Sequence, residues 1–252
     1  MNRISNYPEL KNRIVTWIQN YVSENNLKAL VVGVSGGIDS AVVSTLCAKT
    51  GLPTYVLSMP LHSTVDNDRL SDEHCKKLEK QYSNVVRIRV ELSGVYEKFQ
   101  HSLNWWTDSK EYTSNDLANA NTKSRLRMVT LYQVAGTVNG IVVGTGNKVE
   151  DYGIGFYTKY GDGGVDIAPI ADLYKTEVWE LGKYLDVDER IIDAPPTDGL
   201  WNDGRSDEDQ IGASYADLED AMENGTGPAV EILKKFNQQN KHKMEPIPTF
   251  KL

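Results

Sequence analysis

Two cysteines, Cys47 and Cys75, are all that the 252 residues contain. They fit neither a disulfide framework nor a zinc-ligand pattern, so two reduced thiols are expected. Long apolar runs are missing too. The longest uncharged apolar stretch, Ala29 to Val34, falls far short of the ~20 residues that cross a bilayer. Polar Asn2, Arg3 and Asn6 stand where an apolar signal segment would begin, so a soluble, cytoplasmic chain without membrane association is expected. No long Lys/Arg run exists, and the formal net charge is −8. Such a field repels a polyanionic backbone, which argues against a nucleic-acid partner but leaves room for a small nucleotide held by a few placed amides, lysines and a metal.

With 40% hydrophobic and 25% charged residues the composition is that of a globular protein, and one α/β domain over residues 1–252 is expected. Leu10, Ile14, Trp17, Ile18 and Tyr21 fall at helical spacing and predict an opening helix that ends near Asn25 and Asn26. Lys28 to Val34 reads as a buried strand, and strand and helix then alternate: helix Ile38 to Lys49, strand Thr54 to Met59, helix Asn67 to Gln81, strand Asn84 to Val90. A long helix from Asn115 to Val138 leads to the strand Gly140 to Gly144, and Asp172 is expected to cap a helix carrying Val178, Trp179, Leu181 and Leu185. This alternation predicts a mainly parallel, doubly wound sheet with helices on both faces. Ligands of such sheets sit on the loops at strand C-termini. Here those are the glycine-rich loops Gly144 to Gly146 and Gly153 to Gly164 and the polar stretch Pro195 to Asp209.

One loop carries more chemistry than the others. Gly33, Val34, Ser35, Gly36, Gly37, Ile38, Asp39 and Ser40 lie where the first strand turns into a helix. Glycines there let the backbone approach a ligand while the helix N-terminus offers free amides to an anion. Ser35 and Ser40 can add hydroxyl donors, and Asp39 places a carboxylate where Mg²⁺ could bridge it to phosphates. The string has neither the GK[ST] ending of a Walker A loop nor the spacing of G-x-G-x-x-G. A tight strand-to-helix turn with no ligand is the plain alternative. The full string Ser-Gly-Gly-x-Asp-Ser nevertheless resembles the PP-loop of the N-type ATP pyrophosphatases, of adenine nucleotide alpha hydrolase-like fold. That likeness implies ATP cleavage between the α and β phosphates.

Further along, Asn121-x-x-Ser-Arg125-Leu-Arg127-Met128, Gly144-Thr145, Glu150, the run from Gly155 to Asp166, Leu173-Tyr-Lys175, Pro196-Thr197, Gly199 to Trp201, Ser206 to Asp209, Gly212 to Tyr215 and His242-Lys243 are similar, in order, to NAD⁺ synthetase motifs. The resemblance implies ATP at Gly33 to Ser40, Thr145, Lys175 and Thr197, and Mg²⁺ at Asp39 and Glu150. Deamido-NAD falls at Arg125, Lys159, Asp166, His242 and Lys243, and ammonia at Asp162. Between Glu150 and Gly155 the chain holds one residue more than the family spacing. Counting forward selects Glu150 as second metal ligand, and counting backward selects Asp151. Taken singly these residues have plain readings: Arg125 and Arg127 as surface groups, Glu150 and Asp151 as an acidic turn, His242 in a basic patch. Trp105, Trp106 and Trp201 read as packing residues.

The resemblance also implies the reaction: adenylation of a nicotinate carboxylate, then displacement of AMP by ammonia, with Asp39, Asp162 and Lys175 as the chemical groups and the loops Gly153 to Gly164 and Asn202 to Asp209 as lids. Ammonia is the expected donor because no amidohydrolase segment precedes the loop, and a homodimer is expected. A mononucleotide acceptor, a tRNA-modifying relative and a non-catalytic nucleotide-binding module stay open as alternatives.

Overall fold

The computed structural model describes residues 4–63, 65–103, 116–197, 199–200 and 205–251. Trp105, Trp106, Trp201 and the first residues of the lid expected over 202–209 lie outside the described residues. Helix α1 (Tyr7–Glu24) opens on Asn6, whose side-chain oxygen accepts from the Glu9 amide at 3.1 Å, a side-chain cap for an otherwise unpaired donor. Ile14, Ile18 and Val22 bury its inner stripe, whereas Trp17, expected on that stripe, is 45% exposed.

Strand β1 (Ala29–Val34), helix α2 (Ile38–Lys49), β2 (Thr54–Ser58), α3 (Val65–Gln81) and β3 (Val85–Arg89) follow the expected alternation within a residue or two. Among the described residues the next helices are α4 (Ser93–Ser102), which no sequence pattern announced, and α5 (Asp116–Val138). They return the chain to β4 (Gly140–Val142), which pairs with the free edge of β1, Ala29 facing Gly140. All pairings are parallel and the strand order is β3-β2-β1-β4.

Both faces of β1 are covered, which is why its residues read as a continuous apolar run. On one face Leu30 and Val32 pack with Ile18 of α1 and Val42 and Leu46 of α2. On the other, Val31 packs with Tyr96 of α4 and Ala135 of α5. Each such buried side chain contributes roughly 1.5–3 kcal/mol, so a one-residue slip of β1 would leave Leu30, Val31 and Val32, all 0% exposed, facing the wrong partners.

The second half departs more from the sequence reading. A π-helical turn spans Val149–Ile154 and ends on Gly155 in the left-handed region. Helices α6 (Lys175–Tyr184), α7 (Glu189–Ile192), α8 (Asp207–Ile211), α9 (Tyr215–Asn224) and α10 (Val230–Met244) follow. Asp172 is not the cap of α6. The helix starts at Lys175, the Glu177 carboxylate takes the Tyr174 amide at 2.9 Å, and exposed Asp172 pairs with Lys148 at 2.9 Å. A tertiary bond causes the delay: the Leu173 carbonyl accepts from the Lys148 amide at 2.8 Å, which holds the chain in a turn before it can coil. The π-helical turn, α8 and α9 gather a third, smaller core around Ile154, Ile211, Tyr215 and Leu218.

Candidate active site

Because β1 is joined forward to β2 on one side and pairs with the late strand β4 on the other, the loops after β1 and β4 diverge. This is the switch point at which open α/β sheets leave a crevice. The loop after β1 is braced by its own hydroxyls. Ser40 Oγ accepts from the Ser35 amide at 3.1 Å and donates to the Gly37 carbonyl at 2.9 Å, while Ser35 Oγ accepts from the Gly37 amide at 3.2 Å. Both serines thus shape the turn, and Ser40 is buried within it. Gly36 stands at φ 94°, a conformation that a side chain would strain. Gly37 precedes α2 with no side-chain cap, so amides of the first turn are left for an outside acceptor. Gly33 and Val34 end β1 beneath the loop and Ile38 anchors α2 in the core.

Facing this turn is a charge cluster drawn from distant parts of the chain. Lys175 Nζ, only 2% exposed as a residue, lies 2.5 Å from Asp39 Oδ2 and 3.1 Å from Glu150 Oε1. Asn147 donates to Asp39 Oδ1 at 3.2 Å, and the Tyr215 hydroxyl donates to Glu150 Oε1 at 2.7 Å with Asp207 Oδ2 at 3.3 Å. Burial raises the Asp39 pKa and the Lys175 charge opposes that rise. Burial alone would lower the Lys175 pKa, but the charges of Asp39 and Glu150 hold it above the ordinary lysine value. Three carboxylates thus surround one ammonium, an excess of negative charge made of hard oxygen donors. Among the described residues no group of three or more His, Cys, Asp or Glu side chains is placed to hold a metal by itself. A Mg²⁺ taken by one or two carboxylates and completed by substrate phosphates fits such a donor set.

The extra residue in the family spacing has a structural counterpart. The stretch that holds it is a wide π-helical turn, where the Gly155 amide reaches back to the Glu150 carbonyl. Glu150 points to Lys175. Asp151, one residue on, lays its carboxylate over Gly146, where an added Cβ would stand 2.2 Å from Asp151 Oδ1. Burial, with the charges of Glu150, Asp162 and Asp39, pushes the Asp151 carboxyl up to about 7.

Two cavities meet at this point. The first, about 270 Å³, is walled by the loop after β1, Thr145, Glu150, Lys175 and Thr197; the second, about 340 Å³, by Lys159, Lys243, Tyr160 and Ile247. Gly146, Asp151, Tyr157 and Asp162 belong to both. Asp162 is open to the cleft but crowded by protein on its other sides. That crowding raises its pKa, while bonds from Ser124 Oγ at 2.6 Å and the Thr158 amide at 3.0 Å lower it. Lys243 donates to the carbonyls of Gly155 and Tyr157, both at 2.9 Å.

Three of the expected acceptor contacts stand off these walls. Arg125 donates to the Lys159 carbonyl at 3.2–3.3 Å. His242 is exposed and its carbonyl accepts from Lys159 Nζ at 2.6 Å. Asp166 spends both oxygens on the fold, accepting from the Val142 amide at 2.7 Å and the Tyr132 hydroxyl at 3.0 Å. Thr197 holds its own loop, accepting from the Gly199 amide at 3.2 Å. Residues that sequence reasoning left without a role are Asn147, Asp207, Tyr215, Ser124 and Arg127. The last lines the first cavity and donates to the Met59 carbonyl at 3.2 Å. The run Ser206 to Tyr215 carried a family signal without telling which side chains turn inward.

A doubly wound parallel sheet, an anion-cradling turn at its switch point and a lysine–carboxylate cluster facing it define an α/β nucleotide-binding protein. The NAD synthase family model matches residues 10–248. The chain is 39% identical over 242 residues to the NH(3)-dependent NAD(+) synthetase of Carboxydothermus hydrogenoformans, covering 94% of this chain and 95% of that one. It is 37% identical to the NH(3)-dependent NAD(+) synthetase of Alkaliphilus metalliredigens, at 94% and 96% coverage. Among solved structures, the NMN synthetase of Francisella tularensis superposes with a TM-score of 0.87 at 34% identity, over 99% of this chain and 100% of that one. The NH3-dependent NAD synthetase of Campylobacter jejuni gives 0.77 at 26% identity, over 98% and 100%. The chain belongs to the NAD synthase family.

Proposed function

We propose that this protein is an ATP-dependent ligase that amidates the nicotinate carboxylate of deamido-NAD with ammonia, forming NAD⁺, AMP and pyrophosphate. The observation that carries the reading is the shared wall of the two cavities. A phosphate cradle with a buried lysine lies on one side, two lysines lie on the other, and Asp162 stands between. Two anionic substrates drawn into the two halves would meet at that wall.

A carboxylate is a poor electrophile, so its oxygen first attacks the α-phosphorus of ATP. The new P–O bond forms as the α–β bridge breaks, and pyrophosphate departs with the electron pair. The free amides at the start of α2 take the departing oxygens, and Lys175 stands where their charge builds. Asp39 and Glu150 are the residues to hold Mg²⁺, which supplies further neutralisation of that charge when bound. Ammonia then adds to the acyl carbon, Asp162 receives the proton that the nitrogen sheds, and AMP leaves with the acyl–oxygen pair. Lys159 and Lys243, whose ammonium groups each keep hydrogens beyond those given to carbonyls, suit the phosphates of the acceptor.

The names of the curated relatives support ammonia as donor and the dinucleotide as acceptor. A nicotinate mononucleotide acceptor is the second reading, favoured by the higher TM-score of 0.87 to the Francisella NMN synthetase. Release of AMP and pyrophosphate is to be measured with each acceptor, and with ammonium chloride or glutamine. Turnover with deamido-NAD and ammonium is expected, and ADP with orthophosphate as products would sink the whole assignment.

A homodimer belongs to the same reading. Val95, Phe99 and Leu103 lie one turn apart along α4 and are exposed, as are Leu117 and Val129 of α5, apolar surface of the kind that a partner covers. Light scattering should give twice the 28.2 kDa chain mass. No described helix is long and apolar enough to cross a membrane; a single domain over residues 1–252, working in the cytoplasm, completes the proposal.

A further inference from the structure

Glu150 and Lys175 do not hold each other in place unaided. The ring of Tyr215 lies beneath them, 1% exposed, fixed from two sides. Lys175 Nζ stands 4.8 Å from its centroid, and Trp179, one turn along α6 from Lys175, meets it edge-on at 6.2 Å and 82°. From that seat the hydroxyl reaches Glu150 Oε1 at 2.7 Å. The Lys175 ammonium reaches the same oxygen at 3.1 Å. Two donors on one carboxylate oxygen have a geometric consequence: among the described residues Oε2 of Glu150 takes no protein hydrogen bond.

We infer that Tyr215 is a positioning residue that pins Glu150 through Oε1 and so reserves Oε2 for the cation that accompanies ATP. This rests on the magnesium-assisted adenylation proposed above. Without the hydroxyl the carboxylate is free to turn and give both oxygens to Lys175, and the cation loses a ready ligand. Groups that orient a metal-binding carboxylate in this way typically contribute about 10- to 100-fold to metal affinity. A tyrosine does this well because its hydroxyl donates one proton in one direction while the ring is locked by packing.

The test is Tyr215→Phe, which keeps the ring and its contact with Lys175. Mn²⁺ binding is followed by the electron paramagnetic resonance of the free ion, with the α,β-methylene analogue of ATP present. The expected results are affinity lowered about tenfold, a magnesium requirement for turnover raised in parallel and met at high magnesium, and an unchanged KM for the acceptor. Wild-type affinity in the variant would overturn the inference. So would a variant that does not fold, or one with a lower unfolding midpoint and both substrate KM values raised and no rescue by magnesium, since the hydroxyl would then serve the fold. Absence of nucleotide-dependent Mn²⁺ binding in the wild-type protein would count against the adenylation reading itself, a result distinct from any of these.

Discussion

The two halves of the cleft are built by different means. The half proposed for ATP is held by charge, with Lys175 buried between half-buried Asp39 and Glu150 and the carboxylates tied by Asn147 and Tyr215. The acceptor-side half is held by lysines that cap backbone carbonyls: Lys243 on Gly155 and Tyr157, Lys159 on His242. A buried ion cluster is costly to disturb because a buried charge that loses its last partner is stranded, although Lys175 keeps one carboxylate if the other is removed. A lysine on a half-exposed carbonyl gives up its bond for a phosphate at little net change, as one hydrogen bond is exchanged for another. The difference teaches that the half proposed for ATP is preformed and that the half proposed for the acceptor is adaptable.

The sharpest way to break that comparison is Asp39→Ala. If the ATP half is a single charge unit, adenylation should fall by about 10³-fold, measured as pyrophosphate release, with Lys175 still compensated by Glu150 and the fold retained. Normal turnover would show that the cluster is ornamental to ATP. A second test concerns pH. His74 of α3 bonds Ser44 of α2 at 3.0 Å, below the helix that carries the phosphate turn, and its Nδ1 is buried without a partner. Burial lowers its pKa from 6.5 to about 4. Because the folded value lies below the unfolded one, the stability due to neutral His74 is complete above pH 6.5 and lost as pH falls toward 4, about 3 kcal/mol in all. Urea unfolding at pH 7.5 and pH 5 should expose the loss, and His74→Gln should flatten it.

Next in size is Gly146→Ala. The new methyl would meet the Asp151 carboxylate at 2.2 Å, so about 1–3 kcal/mol of stability should go, with both substrates bound less well because this wall is shared. An effect on one substrate alone would mean that the halves are separate. The smallest effect is expected on the acceptor side, where Lys243→Ala should raise the acceptor KM about tenfold and leave the ATP dependence untouched.

How much of this was legible in advance divides along the same line. The turn from Gly33 to Ser40 is braced locally, the hydrogen bonds of Ser35 and Ser40 spanning two to five residues, and its composition announces it. The cluster facing it joins residues 25 to 136 positions apart, which no periodicity reveals; Asp39 was read from the turn itself, but Glu150 and Lys175 were reached through family likeness. Likeness also named Arg125, Asp166 and His242, which line neither of the two cavities. Helix α10 shows why the late elements were missed. It buries no residue outright, and its Val230, Leu233 and Phe236 are only partly covered by the third core, so the packing that fixes it lies in elements far off in sequence.

By itself the amino-acid order determined the parallel sheet and the phosphate turn, because buried strands must be continuously apolar and an uncapped helix start with glycines must leave its amides free. Only the tertiary structure decided that Glu150 and not Asp151 faces Lys175, that Tyr215 holds it there, and that the two cavities share one wall. Each of these depends on contacts between residues far apart in the chain, Glu150 with Lys175 and with Tyr215, and such contacts follow from packing across the fold and not from local order.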